Sequence, residues 1–231
     1  MDAIDKALSD WKDTLCKSID VGGLLARNPI AHKWKAPFRS LSLREAIGWR
    51  MQDLLFQSKL LFDQRHLLGA RILLRAAFET LGVLVHLNQL MMLVVSEDLE
   101  FNEFSDKTTV LLLGSRDGST DYKAINVVTI LQKCDQKYPG IVEIYEGLCE
   151  SAHPNYEGLS GGYSRIDHDE YITRLSNRWA ERFSASHSHG IALCIETFFH
   201  EYNDEWIEAM TKLEEWIVEN DERLERGKFD A

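Results

Sequence analysis

An all-α helical bundle is the fold this sequence predicts. Apolar residues recur at helical spacing in at least five segments, alternating β-branched runs are few, and the stretch from Ile72 to Val95 is apolar around most of its circumference. With 231 residues, 45% of them hydrophobic, the chain can bury a sizeable core. The four Pro and fourteen Gly are too scattered to mark a flexible linker. A single α-helical domain over 1–231 is expected, with an N-terminal helix and basic loop (1–40) and long C-terminal helices (177–226).

Residues 2–18 place Ile4, Leu8, Trp11 and Leu15 on one stripe with charges opposite, which predicts an amphipathic first helix and not a signal peptide. A loop carrying the basic segment should follow, ending at Ser42-x-x-Glu45 as a capping box. The next helix buries Leu43, Ile47, Met51 and Leu54 and breaks near Arg65. The central helix then runs over about 67–95. Arg75, Glu79, His86, Asn88 and Gln89 interrupt it, so it suits a protein core better than a bilayer. Ser96 is read as the N-cap of a helix reaching Leu113. Helices from Tyr122 to Lys137 and from Ile141 to Ala152 are separated by Pro139-Gly140, and Pro154 stops the second. The Gly-rich stretch from Tyr156 to Tyr171 admits one small β-hairpin around Asp167 to Glu170, and a long pair or one bent helix follows.

The net charge of −11 argues against a surface that grips nucleic acid as a whole, and no DNA partner is expected. The charge is unevenly spread. Arg27, Lys33, Lys35, Arg39, Arg44 and Arg50 stand against the single acid Glu45, whereas the chain from Glu201 onward is dominated by Asp and Glu. Either a local basic patch exists, or the basic segment packs against the acidic tail. Cys16, Cys134, Cys149 and Cys194 show no CxxC spacing and read as reduced thiols of a cytoplasmic protein.

Arg27-Asn28-Pro29-Ile30-Ala31-His32 sets an arginine and a histidine five positions apart, with a polar residue directly after the arginine. Metal-independent RNA cleavage needs a base for the ribose 2′-OH, an acid for the leaving oxygen and a cation for the phosphorane, which such a pair can supply. The same residues also have a purely structural use, since Asn28 is a natural N-cap and Pro29 a natural first helical residue. Arg182 and His187 repeat the spacing. A second constellation lies on the central helix, where Arg71, Arg75, Glu79 and His86 fall close to one face. Buried charge must be paired, so this stripe forms either a packing ladder or the wall of a pocket closed by Ser151, His153 and Tyr156. Glu196-x3-His200 with His189 offers an incomplete ligand set, and Asp167-His168-Asp169-Glu170 reads as a charged hairpin tip, so no metal or cofactor is implied. No P-loop, Rossmann glycine motif, GxSxG or HExxH occurs.

The Arg27-x4-His32 pattern, with Asn28 after the arginine, resembles that of HEPN-type metal-independent ribonucleases. ARILLRAAFETLGVLVHLNQ followed by LCESAHPNYEG is similar to uncharacterised bacterial helical proteins related to abortive-infection and HEPN-like families, over roughly residues 41–160. The resemblance implies a helical bundle, a homodimer, RNA as partner and a ribonuclease role in phage defence or stress response, with Arg27 stabilising the phosphorane and His32 as acid or base. It also points to Arg75, Glu79, Ser151 and His153. The competing expectation is a non-catalytic interaction or ligand-sensing module with the acidic C-terminal helices as docking surface and no membrane contact.

Overall fold

The computed structural model describes residues 3–227. Among them, 77% are helical, counting ten α-helices and two π-helical turns, and the only sheet is one two-stranded hairpin, so the fold is an all-α bundle. The helices are α1 (Ala3–Thr14), α2 (Val21–Arg27), α3 (Pro29–His32), α4 (Lys35–Asp63), α5 (Leu67–Val95), α6 (Phe101–Leu113), α7 (Val127–Lys137), α8 (Ile141–Ala152), α9 (Trp179–His200) and α10 (Trp206–Gly227). Strands β1 (Ser164–Asp167) and β2 (Ile172–Leu175) pair antiparallel across the charged tip at Asp167 to Glu170. One π-helical turn, Glu157–Gly161, precedes the hairpin and another, Glu201–Glu205, joins α9 to α10.

Several boundaries differ from the sequence expectation. The basic segment is mostly helical rather than a loop: α2 and α3 occupy it, and α4 begins at Lys35. Pro37 does not stop α4, because it lies in the first turn, where its missing N–H has no helical partner to lose. Ser42 is therefore inside the helix and caps nothing. Ser96 follows the end of α5, its hydroxyl donating to the Leu93 carbonyl, and α6 starts at Phe101. The break near Arg65 is where it was expected. Arg65 takes a left-handed φ of 63°, and the His66 N–H returns to the Leu61 carbonyl at 2.8 Å, which satisfies an orphan carbonyl at the end of α4.

The chain forms two compact units, each assembled from separated segments. The first comprises Met1–Thr14, Trp49–Leu81 and Leu131–Thr197. In it, Gln52 donates to the Leu8 carbonyl at 3.3 Å and Lys59 meets Asp5 at 3.1 Å, which fixes α1 on α4. Leu67, Ala70 and Trp179 form a buried cluster packed by Leu61, Phe62 and Phe183. The Trp179 ring also requires glycine beside it, since a Cβ at Gly162 would come within 2.7 Å of it.

The second unit comprises Leu15–Gly48, Gly82–Ile130 and Phe198–Ala231. Its core includes an aromatic chain in which Phe101 meets Trp34 edge-on at 5.5 Å and Trp216 in a stack at 6.0 Å. Tyr202 lies under the Arg44 guanidinium at 3.6 Å and donates its hydroxyl to Glu45 at 2.6 Å. The fully buried Glu201 accepts from the Asn88 amide at 2.7 Å, so its carboxylate enters the core hydrogen-bonded.

Helix α5 supplies both cores. It is apolar and long enough to cross a membrane, yet 67% of its most apolar window is buried inside the fold. Leu74 and Leu84 are 1% and 0% exposed. Replacing either with Ala should destabilise the protein by about 2 to 5 kcal/mol, the usual cost of truncating a buried leucine, measured by urea denaturation. The same substitution at Leu60, 46% exposed, should cost far less.

Candidate functional site

Asn28 creates the first candidate site. It ends α2 by donating its N–H to the Leu24 carbonyl at 3.0 Å, and starts α3 by accepting the Ala31 N–H at 3.0 Å on its side-chain oxygen. Pro29 follows as the first residue of α3. Two short helices hinged on one residue bring their last side chains together, so that Arg27 Nη2 lies 3.1 Å from His32 Nε2. Both converge on one carboxylate. Glu214 Oε1 on α10 accepts from Arg27 at 2.6 Å and lies 3.2 Å from His32 Nε2.

The two partners are unequally accessible. The Arg27 side chain is 60% exposed, whereas that of His32 is 3% exposed and its Nδ1 has no hydrogen-bond partner among the described residues. Burial pushes the His32 pKa below its ordinary value of 6.5, and the adjacent Arg27 adds to this against the opposing pull of Glu214. Burial thus favours the neutral imidazole.

The same arm is held further along. Lys33 reaches Asp221 at 2.7 Å and Glu225 at 2.8 Å, and the Trp34 indole N–H donates to Asp221 at 3.2 Å. Of the two expectations for the basic segment, packing against the acidic tail thus describes Arg27 and Lys33. It does not describe Lys35 and Arg39. These open onto a groove of about 440 Å³ formed by the start of α4, by α6 and by Tyr122.

The second constellation divides in two, both within the first unit. Arg75 pairs with Glu79 at 3.0 Å, donates to the Tyr145 hydroxyl at 2.7 Å and approaches the Cys149 sulfur at 3.0 Å. Tyr145 in turn donates to Glu79 at 2.8 Å, and burial with this carboxylate raises its pKa well above the ordinary phenol value. Arg71 belongs to a different, deeper cluster. It donates to the Ser151 hydroxyl at 2.7 Å and the Gly147 carbonyl at 2.9 Å, lies over the Phe183 ring at 4.3 Å, and is linked through Ser151 to Glu157. Ser151 is thus brought to Arg71 and not to Arg75. His153 and Tyr156 join neither cluster: His153 ends α8 with an exposed side chain, and Tyr156 is 76% exposed.

The remaining candidates separate in space. His187 is buried, with its Nε2 3.3 Å from the Ser58 hydroxyl, while Arg182 lies over Phe183, so this pair does not repeat the Arg27–His32 contact. His200 turns to Asp204 at 3.2 Å and Glu205 at 3.3 Å, away from an exposed Glu196. Among the described residues, no three of His, Cys, Asp or Glu are grouped so as to hold a metal ion. Glu214, the residue that organises the first site, was not singled out from the sequence. Its one signal was the acidic character of the tail, which marks no individual residue.

Comparison with known proteins adds no relative: no family model, curated protein or solved structure matches the chain.

The two polar clusters should respond differently to mutation. Arg71 is 5% exposed, and Arg71→Leu should cost about 3 kcal/mol or more, because the Ser151 hydroxyl and the Gly147 carbonyl lose their donor and Glu157 loses a cation 4.0 Å away. Glu79→Gln, in a cluster 23 to 29% exposed, should cost about 1 to 3 kcal/mol, and His153→Ala about 0.5 kcal/mol or less, all read from denaturation midpoints.

His187 supplies a pH prediction. Burial, aided by nearby Arg71, lowers its pKa from 6.5 to about 4. The unfolded chain therefore binds the proton first, so its stabilising contribution is complete above about pH 6.5 and is lost as pH falls toward 4. The loss should reach a few kcal/mol, since each pH unit of displacement is worth about 1.4 kcal/mol. Stability against pH should be measurably flatter in this window for His187→Gln than for the unmodified chain.

Proposed function

We propose that this chain is a non-catalytic helical interaction module. In it, Arg27, His32 and Lys33 latch an N-terminal arm onto the acidic helix α10, and the remaining carboxylates of that helix receive a basic partner. The state of His32 carries this reading. A general base or acid must come within hydrogen-bond reach of the proton it moves, and this imidazole is 3% exposed, with the ring nitrogen that faces Arg27 already against Glu214. Arg27 is likewise committed, since a phosphate would have to displace a carboxylate at 2.6 Å. On the docking side, Glu215, Glu219 and Glu222 are exposed at helical spacing along α10 with no ion pair among the described residues.

A metal-independent ribonuclease of HEPN-like type, acting as a dimer in phage defence or stress response, is the second reading. The 3.1 Å approach of Arg27 to His32 favours it, together with the 60% exposure of the arginine side chain. Incubation of single-stranded and structured RNA with the protein in EDTA separates the two. The interaction module predicts no more product with 2′,3′-cyclic phosphate ends than a His32→Ala variant gives. Cleavage that His32→Ala and Arg27→Lys both abolish would replace it with the ribonuclease, because an ammonium cannot reproduce the planar contact of a guanidinium.

A further inference from the structure

The groove beside the latch is chemically unlike the rest of this acidic molecule. It encloses about 440 Å³, a volume in the range of small-molecule sites. Lys33, Lys35 and Arg39 line it against one acid, Asp106. Lys33 is spent on Asp221 and Glu225, but Lys35 is exposed, and neither it nor Arg39 has an ion pair among the described residues. Among the described residues Arg39 donates only through Nη1, in two long bonds to Ser105 at 3.3 and 3.4 Å, which leaves the rest of its fork available. Lys35 and Arg39 stand one helical turn apart in the first turns of α4, a 29-residue helix whose N-terminal end adds positive potential.

Two cations one turn apart match a doubly charged oxyanion better than a carboxylate, and the guanidinium fork suits phosphate oxygens. The exposed amide of Asn102, on the opposite wall and without a partner among the described residues, offers a further donor. Ser105 and Thr109 add hydroxyls to the lining, and the rest of it, Trp34, Phe101, Val110 and Tyr122, is apolar or aromatic. Trp34 and Phe101, buried at 9% and 3% exposure, are locked edge to face at 5.5 Å, and Tyr122, 42% exposed, is the open ring of the lining. A rigid aromatic wall beside paired cations is suited to a flat ring carrying a phosphate.

We propose that this groove binds a small phosphomonoester attached to a planar ring, with Lys35 and Arg39 holding the phosphate and the Trp34, Phe101 and Tyr122 side facing the ring. The site goes beyond the latch and is independent of whether Arg27 and His32 cleave RNA, because neither residue lines it.

Isothermal titration of the full chain with phenyl phosphate, phenol and inorganic phosphate tests the assignment. Phenyl phosphate should bind at least tenfold more tightly than either fragment, and more weakly as salt is raised. Lys35→Gln, which removes no ion pair or hydrogen bond among the described residues, should weaken it about tenfold. Arg39→Gln should do the same with an unchanged far-ultraviolet circular dichroism spectrum, and Lys212→Gln on α10 should leave it unaltered. Equal binding of phenol, or full affinity in Lys35→Gln, would overturn the proposal. Equal binding of inorganic phosphate would reduce the groove to an adventitious ion site and overturn it as well.

Discussion

One carboxylate, that of Glu214, governs the N-terminal arm. Helices α2 and α3 have seven and four residues, too short to be stable alone, and α2 buries no residue. Their position therefore depends on side-chain anchors. Glu214 supplies the principal one by accepting from Arg27 at 2.6 Å while lying 3.2 Å from a buried imidazole. Asp221 and Glu225 extend the anchor to Lys33 and Trp34. Exposed ion pairs are individually weak, but Glu214 and His32 are shielded, and removal of either would leave a polar group buried without its partner. The arrangement also accounts for the chemistry: what brings Arg27 and His32 together is the group that occupies them.

The polar residues of α5 follow the same physics with another result. Arg71, at 5% exposure, is almost wholly desolvated and ties the end of α8 and the following π-helical turn to the central helix. Arg75 and Glu79, one turn along and more exposed, pair with each other and with Tyr145. Each charge on this apolar helix is thus matched locally. The tightness of the turn has a backbone cause too: a Cβ at Gly158 would stand 2.0 Å from the His153 carbonyl oxygen, so only glycine fits.

Much of the fold was legible because long amphipathic periodicity is a local property. The central helix was placed at 67–95 and found at Leu67–Val95, and the hairpin tip at Asp167 to Glu170 and the junction at Pro139-Gly140, where Gly140 has φ of 100°, were readable from turn chemistry. Helix starts were less legible. Ser42-x-x-Glu45 has the form of a capping box, but Glu45 pairs with Arg44 and Tyr202 instead. Of the candidate site, the cap formed by Asn28 and Pro29 was visible because it spans adjacent residues. Glu214, 187 positions from Arg27 in sequence, was not, since an acidic helix does not declare which of its carboxylates turns inward. The split between Arg71 and Arg75 was hidden for the same reason: which of two arginines one turn apart meets Ser151 is settled by packing against α8 and α9.

The protonation of His32 reports most directly on whether the Arg27–Glu214–His32 knot is a structural latch. Nuclear magnetic resonance titration of its ring proton in the unmodified chain and in Glu214→Gln would measure it. The account predicts a pKa below 6.5 in the unmodified protein, because burial outweighs the carboxylate, and a lower one in Glu214→Gln, where the opposing charge is gone. A His32 pKa unmoved by Glu214→Gln would contradict the latch, because the ring would then not be held against that carboxylate.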